Sequence, residues 1–173
     1  VYSGALPLTR QAAKAQIDAG FGTVVHIGHG YRYTLSVGDG SLDVGSAAGF
    51  TNGARAGLLY MLNCTAAAYD FESFAEVALL NPNGGASLVI GSAREAFPFG
   101  AKDYQHAFFA HLYQRHEYRV GEAMARSREE FAGSAALNSV DRWTQFTYTL
   151  LGDPETPLWV GTPQTLNVTL PAS

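Results

Sequence analysis

Three short apolar segments constrain the fold of this chain more than any other feature of its sequence. They span residues 21–27, 57–62 and 86–90. Near-continuous apolar runs of this length, rich in branched side chains, are typical of strands buried on both faces of a sheet. Segments with helical signals alternate with them. The pattern therefore predicts an α/β domain with a largely parallel sheet.

Helix and turn signals complete this prediction. Ser73 and Glu76 form an S-x-x-E capping box at the start of one helix. Residues 31–43 are expected to form a loop or hairpin around the turn signal Gly-Asp-Gly. Three strands are few for such a sheet, so the missing strands are expected before Val1. The predicted helices span residues 9–19, 73–80, 102–118, 120–131 and 141–151.

Composition excludes several classes of function. The chain has 173 residues, of which 47% are apolar and 15% charged, as in a compact globular domain. Its 11 basic and 15 acidic residues form no runs, so no nucleic-acid partner is expected. No apolar stretch approaches the roughly 20 residues of a membrane span, so no span is expected. Because the chain begins at Val1 without a signal peptide, we expect a piece of a longer polypeptide.

The three apolar segments all end on residues that can do chemistry. In open α/β sheets, ligands bind beyond the carboxyl ends of the strands. A histidine and the only cysteine of the chain are therefore predicted on neighbouring loops at one edge of the sheet. The three endings are Gly28-His29-Gly30, Asn63-Cys64 and Gly91-Ser92.

This combination predicts a nucleophilic thiol. A thiol of pKa about 8.5 is only slightly ionised at neutral pH, and the imidazole of His29 can take its proton. The N–H groups of Gly30 and Cys64 are natural donors to a developing oxyanion. Such a site would hydrolyse an acyl bond through a thioester. Cys64 can also be interpreted as a small buried hydrophobe. The nearby Asp70 and Glu72 can be interpreted as shaping the site, as holding a cation or as solvated carboxylates.

Metal and phosphate sites fit the histidines less well. A dinucleotide-binding G-x-G-x-x-G motif would need glycine at position 33, which is Tyr33. His26 and His29 are separated by an odd number of residues, so a strand would place them on opposite faces. His26 is then interpreted as a structural residue within its strand. No metal site is predicted, because the remaining histidines share no helix face: they are His106, His111 and His116.

Several stretches resemble the gingipain-type cysteine peptidases of the caspase-like clan. They are GHG at residues 28–30, LNCT at 62–65 and SFAEVALLNPNGGASLVIGSARE at 73–95. LLGDPETPLW at 150–159 resembles the close of the family's catalytic domain, after which an immunoglobulin-like module often follows. The similarity runs from about residue 21 to residue 159.

The resemblance implies a caspase-like α/β/α sandwich and an endopeptidase with a Cys-His dyad. On the matching positions, Cys64 is the nucleophile and His29 the general base and acid. The N–H groups of Gly30 and Cys64 form the oxyanion hole. The loop at residues 92–99 forms part of the wall of the pocket for the residue before the scissile bond. Its candidate substrate-binding residues are Ser92, Ala93, Arg94 and Glu95.

The family also suggests a wider context. Its catalytic domains are considerably longer than this chain, so the chain is expected to be the C-terminal half of one. The acid that orients His29 would then lie in the preceding half, an upstream segment of the same precursor. Two alternatives are open for that half: maturation separates it and it stays associated as a partner chain, or the sequence is truncated. Residues 1–161 are predicted as the peptidase domain, incomplete at its N-terminus, and residues 162–173 as a linker or the start of a β module.

Enzymes of this family are typically secreted or at the cell surface. They need no cofactor for catalysis and often carry structural calcium.

The leading prediction is a secreted cysteine endopeptidase acting on peptide or protein substrates. Two alternatives stay open. One is a catalytically inactive caspase-like binding module. The other is a thiol acyl-transferase or an enzyme that processes its own precursor.

Overall fold

The computed structural model describes residues 8–160. This part of the chain contains seven helices and seven strands. The helices are α1 (Arg10–Asp18), α2 (Val44–Ala48), α3 (Phe74–Leu80), α4 (Pro98–Tyr113), α5 (Val120–Glu130), α6 (Ala132–Leu137) and α7 (Ser139–Thr147). The strands are β1 (Thr23–Ile27), β2 (Gly30–Tyr31), β3 (Thr34–Val37), β4 (Gly40–Asp43), β5 (Leu58–Leu62), β6 (Leu88–Ser92) and β7 (Tyr148–Leu151).

Four strands form the main sheet, in the order β1-β5-β6-β7. β5 pairs in parallel with both β1 and β6, while β7 runs antiparallel to β6. The predicted α/β class with a largely parallel sheet is therefore confirmed. β2, β3 and β4 form a separate antiparallel sheet, and the pairing of Val37 with Gly40 confirms the hairpin expected there.

Helices cover both faces of the main sheet because alternate side chains of each strand point to opposite sides. On β5, Leu59 and Met61 pack in a core with Ile17 of α1 and Phe74 of α3. Tyr60, between them, belongs to a second core on the other face. That core includes residues of α4 and α5. The result is the α/β/α sandwich that the resemblance implies.

The last predicted helix is wrong over its last four residues. Residues 141–151 were expected to be helical throughout, but α7 ends at Thr147 and the chain continues as β7. Tyr148 has extended backbone angles and pairs with Ser92 of β6. Tyr-Thr-Leu-Leu is rich in residues that favour strands, and hydrogen bonding along the edge of β6 outweighs its local helix propensity. One of the strands missing from the sequence prediction therefore lies within this chain.

The first strand is less buried than its sequence predicts. Val25 and Ile27 are 43% and 67% exposed, whereas their run was expected to be buried on both faces. β1 ends the strand order of the sheet, and Val24 packs against the core that contains α1. The side chains of Val25 and Ile27 point to the opposite face, which the described helices do not cover at this edge.

Helix α4 begins earlier and ends earlier than residues 102–118. Pro98 stands in its first turn, where a missing N–H costs nothing. The helix ends at Tyr113, and His116 beyond it has a φ of 60°.

None of the described helices is both long and apolar enough to cross a membrane. The linker prediction for residues 162–173 lies outside the described residues.

Candidate active site

The loops after β1 and β5 leave the sheet side by side. Ile27 pairs with Leu62 at the carboxyl ends of these strands, and the N–H of Gly28 donates to the carbonyl of Leu62 at 3.3 Å. Gly30 then packs directly on Asn63. A Cβ at position 30 would lie 2.5 Å from the side-chain Cγ of Asn63. The structure thus brings the Gly-His-Gly loop against the residue that precedes the cysteine.

His26 is hydrogen-bonded at both ring nitrogens. Its Nε2 lies 2.8 Å from the carbonyl of Ser36, and its Nδ1 lies 3.0 Å from the amide Nδ2 of Asn63. An amide nitrogen only donates, so Nδ1 is the acceptor and Nε2 carries the proton. Burial lowers the pKa of His26, and the bond to Ser36 only partly opposes this. His26 is therefore a neutral residue engaged in structure, as its position within the strand suggested.

His29 has a fixed backbone and an open side chain. Its carbonyl accepts hydrogen bonds from both the N–H and the hydroxyl of Ser36, each at 2.9 Å. The residue is exposed, and its imidazole makes no hydrogen bond to any residue in the range 8–160. This ring is free to serve as a base, whereas that of His26 is not.

Cys64 lies half-buried at the turn that follows β5. Its Sγ accepts a hydrogen bond from the N–H of Ala96 at 3.4 Å. The next residue, Thr65, has a φ of 50°, which is unusual for a β-branched side chain. Strained backbone of this kind persists only where surrounding contacts hold it, and it is concentrated at functional sites.

The loop predicted to bind substrate presents its four candidate residues differently. Ser92 and Ala93 are buried, and the Ser92 hydroxyl donates to the carbonyl of Arg94 at 2.7 Å. The guanidinium of Arg94 forms an ion pair with Asp70. Glu95 is exposed, and it is the candidate whose carboxylate is available to a ligand.

A cavity of about 380 Å³ opens beside this loop. Glu95 and Phe97 line one side, and residues of α7, among them Val140 and Trp143, line the other. The indole N–H of Trp143 donates to the carbonyl of Glu95 at 2.6 Å and ties α7 to the loop. Sequence reasoning missed Trp143, because its position in an amphipathic helix indicates only packing.

The other histidines and the acidic residues form no metal site. Within residues 8–160, no three His, Cys, Asp or Glu side chains are arranged to hold a metal ion. His111 is buried between two carboxylates, with Glu117 2.6 Å from Nδ1 and Glu130 2.9 Å from Nε2. It holds the end of α4 against α5, away from Cys64 in the fold.

Comparison with known protein families identifies the family of this chain. A model of peptidase family C25 matches residues 2–159. The chain belongs to peptidase family C25. The match covers nearly the whole chain and agrees with the gingipain-type resemblance of its sequence motifs.

Three solved structures share this fold. One described as a protease has a TM-score of 0.78 and 17% identity, covering 92% of this chain and 40% of its own. The Arg-specific cysteine proteinase gingipain R has a TM-score of 0.75 and 17% identity, with 89% of this chain and 37% of its own covered. The complex of the RgpB pro- and mature domains from Porphyromonas gingivalis gives 0.76 and 16%, with 89% and 38% covered.

The matched structures are longer than this chain and distant from it in sequence. This chain spans about two fifths of the length of the matched structures. At 16–17% identity, they establish the caspase-like fold alone. No protein with curated function matches the chain.

Proposed function

We propose that this C25 chain carries the catalytic dyad of a cysteine endopeptidase, with Cys64 as nucleophile and His29 as general base. The observation that carries the proposal is the packing of Gly30 on Asn63, which sets the loop of His29 beside the turn of Cys64. His29 has the free imidazole that the reaction needs, while both nitrogens of His26 are occupied. Cys64 is half-buried and follows β5 at the same edge of the sheet.

The reaction follows from these groups. His29 takes the proton of the Cys64 thiol, and the sulfur attacks the carbonyl carbon of the scissile peptide bond. The N–H groups of Gly30 and Cys64 donate to the oxyanion of the tetrahedral intermediate. The C–N bond then breaks, and His29 returns the proton to the leaving amine. A water molecule, deprotonated by His29, hydrolyses the thioester and restores the thiol.

The cavity between residues 92–99 and α7 would receive the side chain that precedes the scissile bond. Glu95 supplies a carboxylate, while Phe97 and Trp143 supply aromatic surface. A side chain with an apolar stem and a positive end would contact both kinds of surface favourably. Ser92 and Ala93 support the wall from beneath, since both are buried.

The wider context remains part of the proposal. One solved relative is described as a complex of pro- and mature domains, and an upstream segment of the same precursor is proposed to associate with this chain. That segment would supply the group that orients His29. Secretion or display at the cell surface, and structural calcium outside the catalytic site, stay predictions.

The direct test incubates the full-length protein with a mixed peptide library and identifies products by mass spectrometry. New termini that appear with the wild type and are absent with Cys64→Ala support an endopeptidase. If a free amine is included in the incubation, products in which a peptide is joined to that amine would instead indicate acyl transfer. Absence of any Cys64-dependent product from the full-length protein would favour the inactive binding module and contradict the proposal.

A further inference from the structure

An ion pair joins the two loops that surround Cys64. Arg94 Nη1 lies 3.0 Å from Asp70 Oδ1, and Arg94 Nη2 lies 3.1 Å from Asp70 Oδ2. This two-point geometry is the strongest arrangement of a guanidinium and a carboxylate. Asp70 belongs to the loop that begins at Cys64. Arg94 belongs to the loop whose Ala96 N–H donates to the sulfur of Cys64.

Arg94 also holds the beginning of the Cys64 loop through its backbone. Its carbonyl accepts the N–H of Thr65 at 3.0 Å and the hydroxyl of Ser92 at 2.7 Å. The loop after the nucleophile is thus fastened to one residue at two points. The backbone of Arg94 fixes its start at Thr65, and the side chain of Arg94 fixes its far end at Asp70.

The backbone at Thr65 explains why such fastening is needed. A φ of 50° places this β-branched residue in the left-handed region, which it rarely adopts. This conformation sets the direction in which the chain leaves β5, and with it the position of the Cys64 sulfur. It persists only if neighbouring contacts hold it against relaxation. The contacts of Arg94 reach both Thr65 and the far end of its loop. Beside them, the N–H of Ala68 donates to the carbonyl of Thr65 at 3.1 Å, and the N–H of Ala67 donates to the carbonyl of Ser92 at 3.2 Å.

Three of the five N–H groups of the Arg94 guanidinium donate to residues within the protein. Both outer nitrogens contact Asp70, and Nη1 also donates to the carbonyl of Ala93 at 2.7 Å. The Asp70 carboxyl is held in its charged form, because the hydrogen bond from Arg94 keeps its pKa below the ordinary value. A carboxylate on a substrate would have to displace Asp70 to reach this fork.

We propose, building on the proposed peptidase function, that Asp70 and Arg94 are positioning residues that hold the strained turn at Thr65 and so fix the sulfur of Cys64 for attack. The pair acts through Cys64 and does not touch the substrate. Its side chains are 39% and 43% exposed, and ion pairs this exposed add little to global stability. Its loss should therefore reduce catalysis and leave the stability of the fold nearly unchanged.

The test compares variants of the full-length protein. Asp70→Asn is expected to lower kcat about tenfold or more, because small misplacements of reacting atoms are costly. KM for a neutral peptide and the thermal midpoint should stay close to those of the wild type. Alkylation of Cys64 by iodoacetamide, followed by peptide mapping, should slow as well. Exchanging the charges with Asp70→Arg and Arg94→Asp together should restore much of kcat.

A matched control removes an exposed ion pair elsewhere. Arg126 and Glu129 pair at 3.0 Å on α5 with both side chains at least half exposed, and Glu129→Gln should change neither kcat nor alkylation. Unchanged kcat and alkylation in Asp70→Asn would overturn the positioning role. So would an effect of Arg94→Lys confined to KM for acidic peptides, which is what a substrate contact predicts. If the wild type cleaves no peptide, the proposed function fails, and the alkylation rates alone decide the positioning role.

Discussion

The amide of Asn63 donates to Nδ1 of His26 across 3.0 Å, and this bond joins β1 to the residue before the proposed nucleophile. It requires a neutral imidazole, because protonated Nδ1 has no lone pair to accept with. The hydrogen bond therefore makes the geometry beside Cys64 dependent on the protonation of a histidine that takes no part in the proposed reaction.

Protonation of His26 should destabilise the protein at acidic pH. Burial lowers its pKa in the folded state relative to the unfolded value of 6.5. The unfolded chain thus binds the proton more readily, and the contribution of His26 to stability is complete above about pH 6.5 and is lost as the pH falls below it. Urea unfolding at pH 7.5 and pH 5 should show this loss. His26→Gln should reduce the change in unfolding free energy between the two pH values. His106→Gln, at an exposed position, should leave that change as in the wild type. An equal change in both variants would contradict the role given to His26.

Gly30 should tolerate no side chain. A Cβ there would lie 2.5 Å from Asn63 Cγ and 2.8 Å from its Oδ1. Gly30→Ala is expected to cost about 1–3 kcal/mol of unfolding free energy and to reduce Cys64-dependent peptidase activity. Gly40→Ala is the control, since nothing lies within 4 Å of a Cβ at that position. Denaturant unfolding of the two variants compares the costs, and similar values would argue against close packing of the two loops.

Removing one buried hydroxyl should stabilise the fold. The ring of Tyr148 is buried, and its hydroxyl makes no well-aligned hydrogen bond within residues 8–160. Burial raises the pKa of Tyr148, and the nearby backbone N–H of Asn63 only partly opposes this. Tyr148→Phe removes a desolvated polar group and is expected to gain about 1 kcal/mol. Tyr104→Phe provides the contrast, since the Tyr104 hydroxyl donates to the carbonyl of Asp141 at 3.3 Å and its loss should destabilise. Thermal unfolding measures both, and a destabilised Tyr148→Phe protein would show that this hydroxyl has a partner.

His111 should contribute to stability and not to catalysis. It is buried with a carboxylate at each ring nitrogen. His111→Ala removes the hydrogen-bond partner of Glu117, while Glu130 keeps Arg115 at 2.9 Å. The change is expected to cost about 1–3 kcal/mol of unfolding free energy, because the hydrogen bonds of a buried side chain are lost. His106→Ala should cost far less. The measurement is denaturant unfolding, and a His111→Ala protein as stable as the wild type would show that the cluster is not structural.

The sequence could predict the parts of this molecule that depend on short-range patterns. The apolar segments predicted β5 and β6, and the S-x-x-E pattern predicted the cap at which Ser73 accepts the N–H of Glu76. Glycine and polar residues at strand ends indicated which loops would meet, because parallel strands share one carboxyl edge. The expectation that His26 and His29 differ in role also came from position along the strand alone.

The features that the sequence could not predict depend on contacts between residues far apart in the chain. β7 pairs with the edge of β6, and the strand propensity of Tyr148 and Thr149 alone is too weak to separate a strand from the end of a helix. Val25 and Ile27 look like core residues but lie on the face of β1 that the described helices leave open. The contact between Trp143 and the carbonyl of Glu95 spans 48 residues. The Asp70–Arg94 pair joins residues 24 apart in the chain, and neither loop alone predicts it.

The most direct measurement of the central claim is the rate at which iodoacetamide modifies Cys64 in the full-length protein, with and without His29. A Cys64–His29 dyad predicts rapid modification of the wild type at neutral pH, and a rate lower by about an order of magnitude or more in His29→Ala. His106→Ala should react like the wild type. Slow modification of Cys64 that is the same in the wild type and in His29→Ala would contradict the dyad.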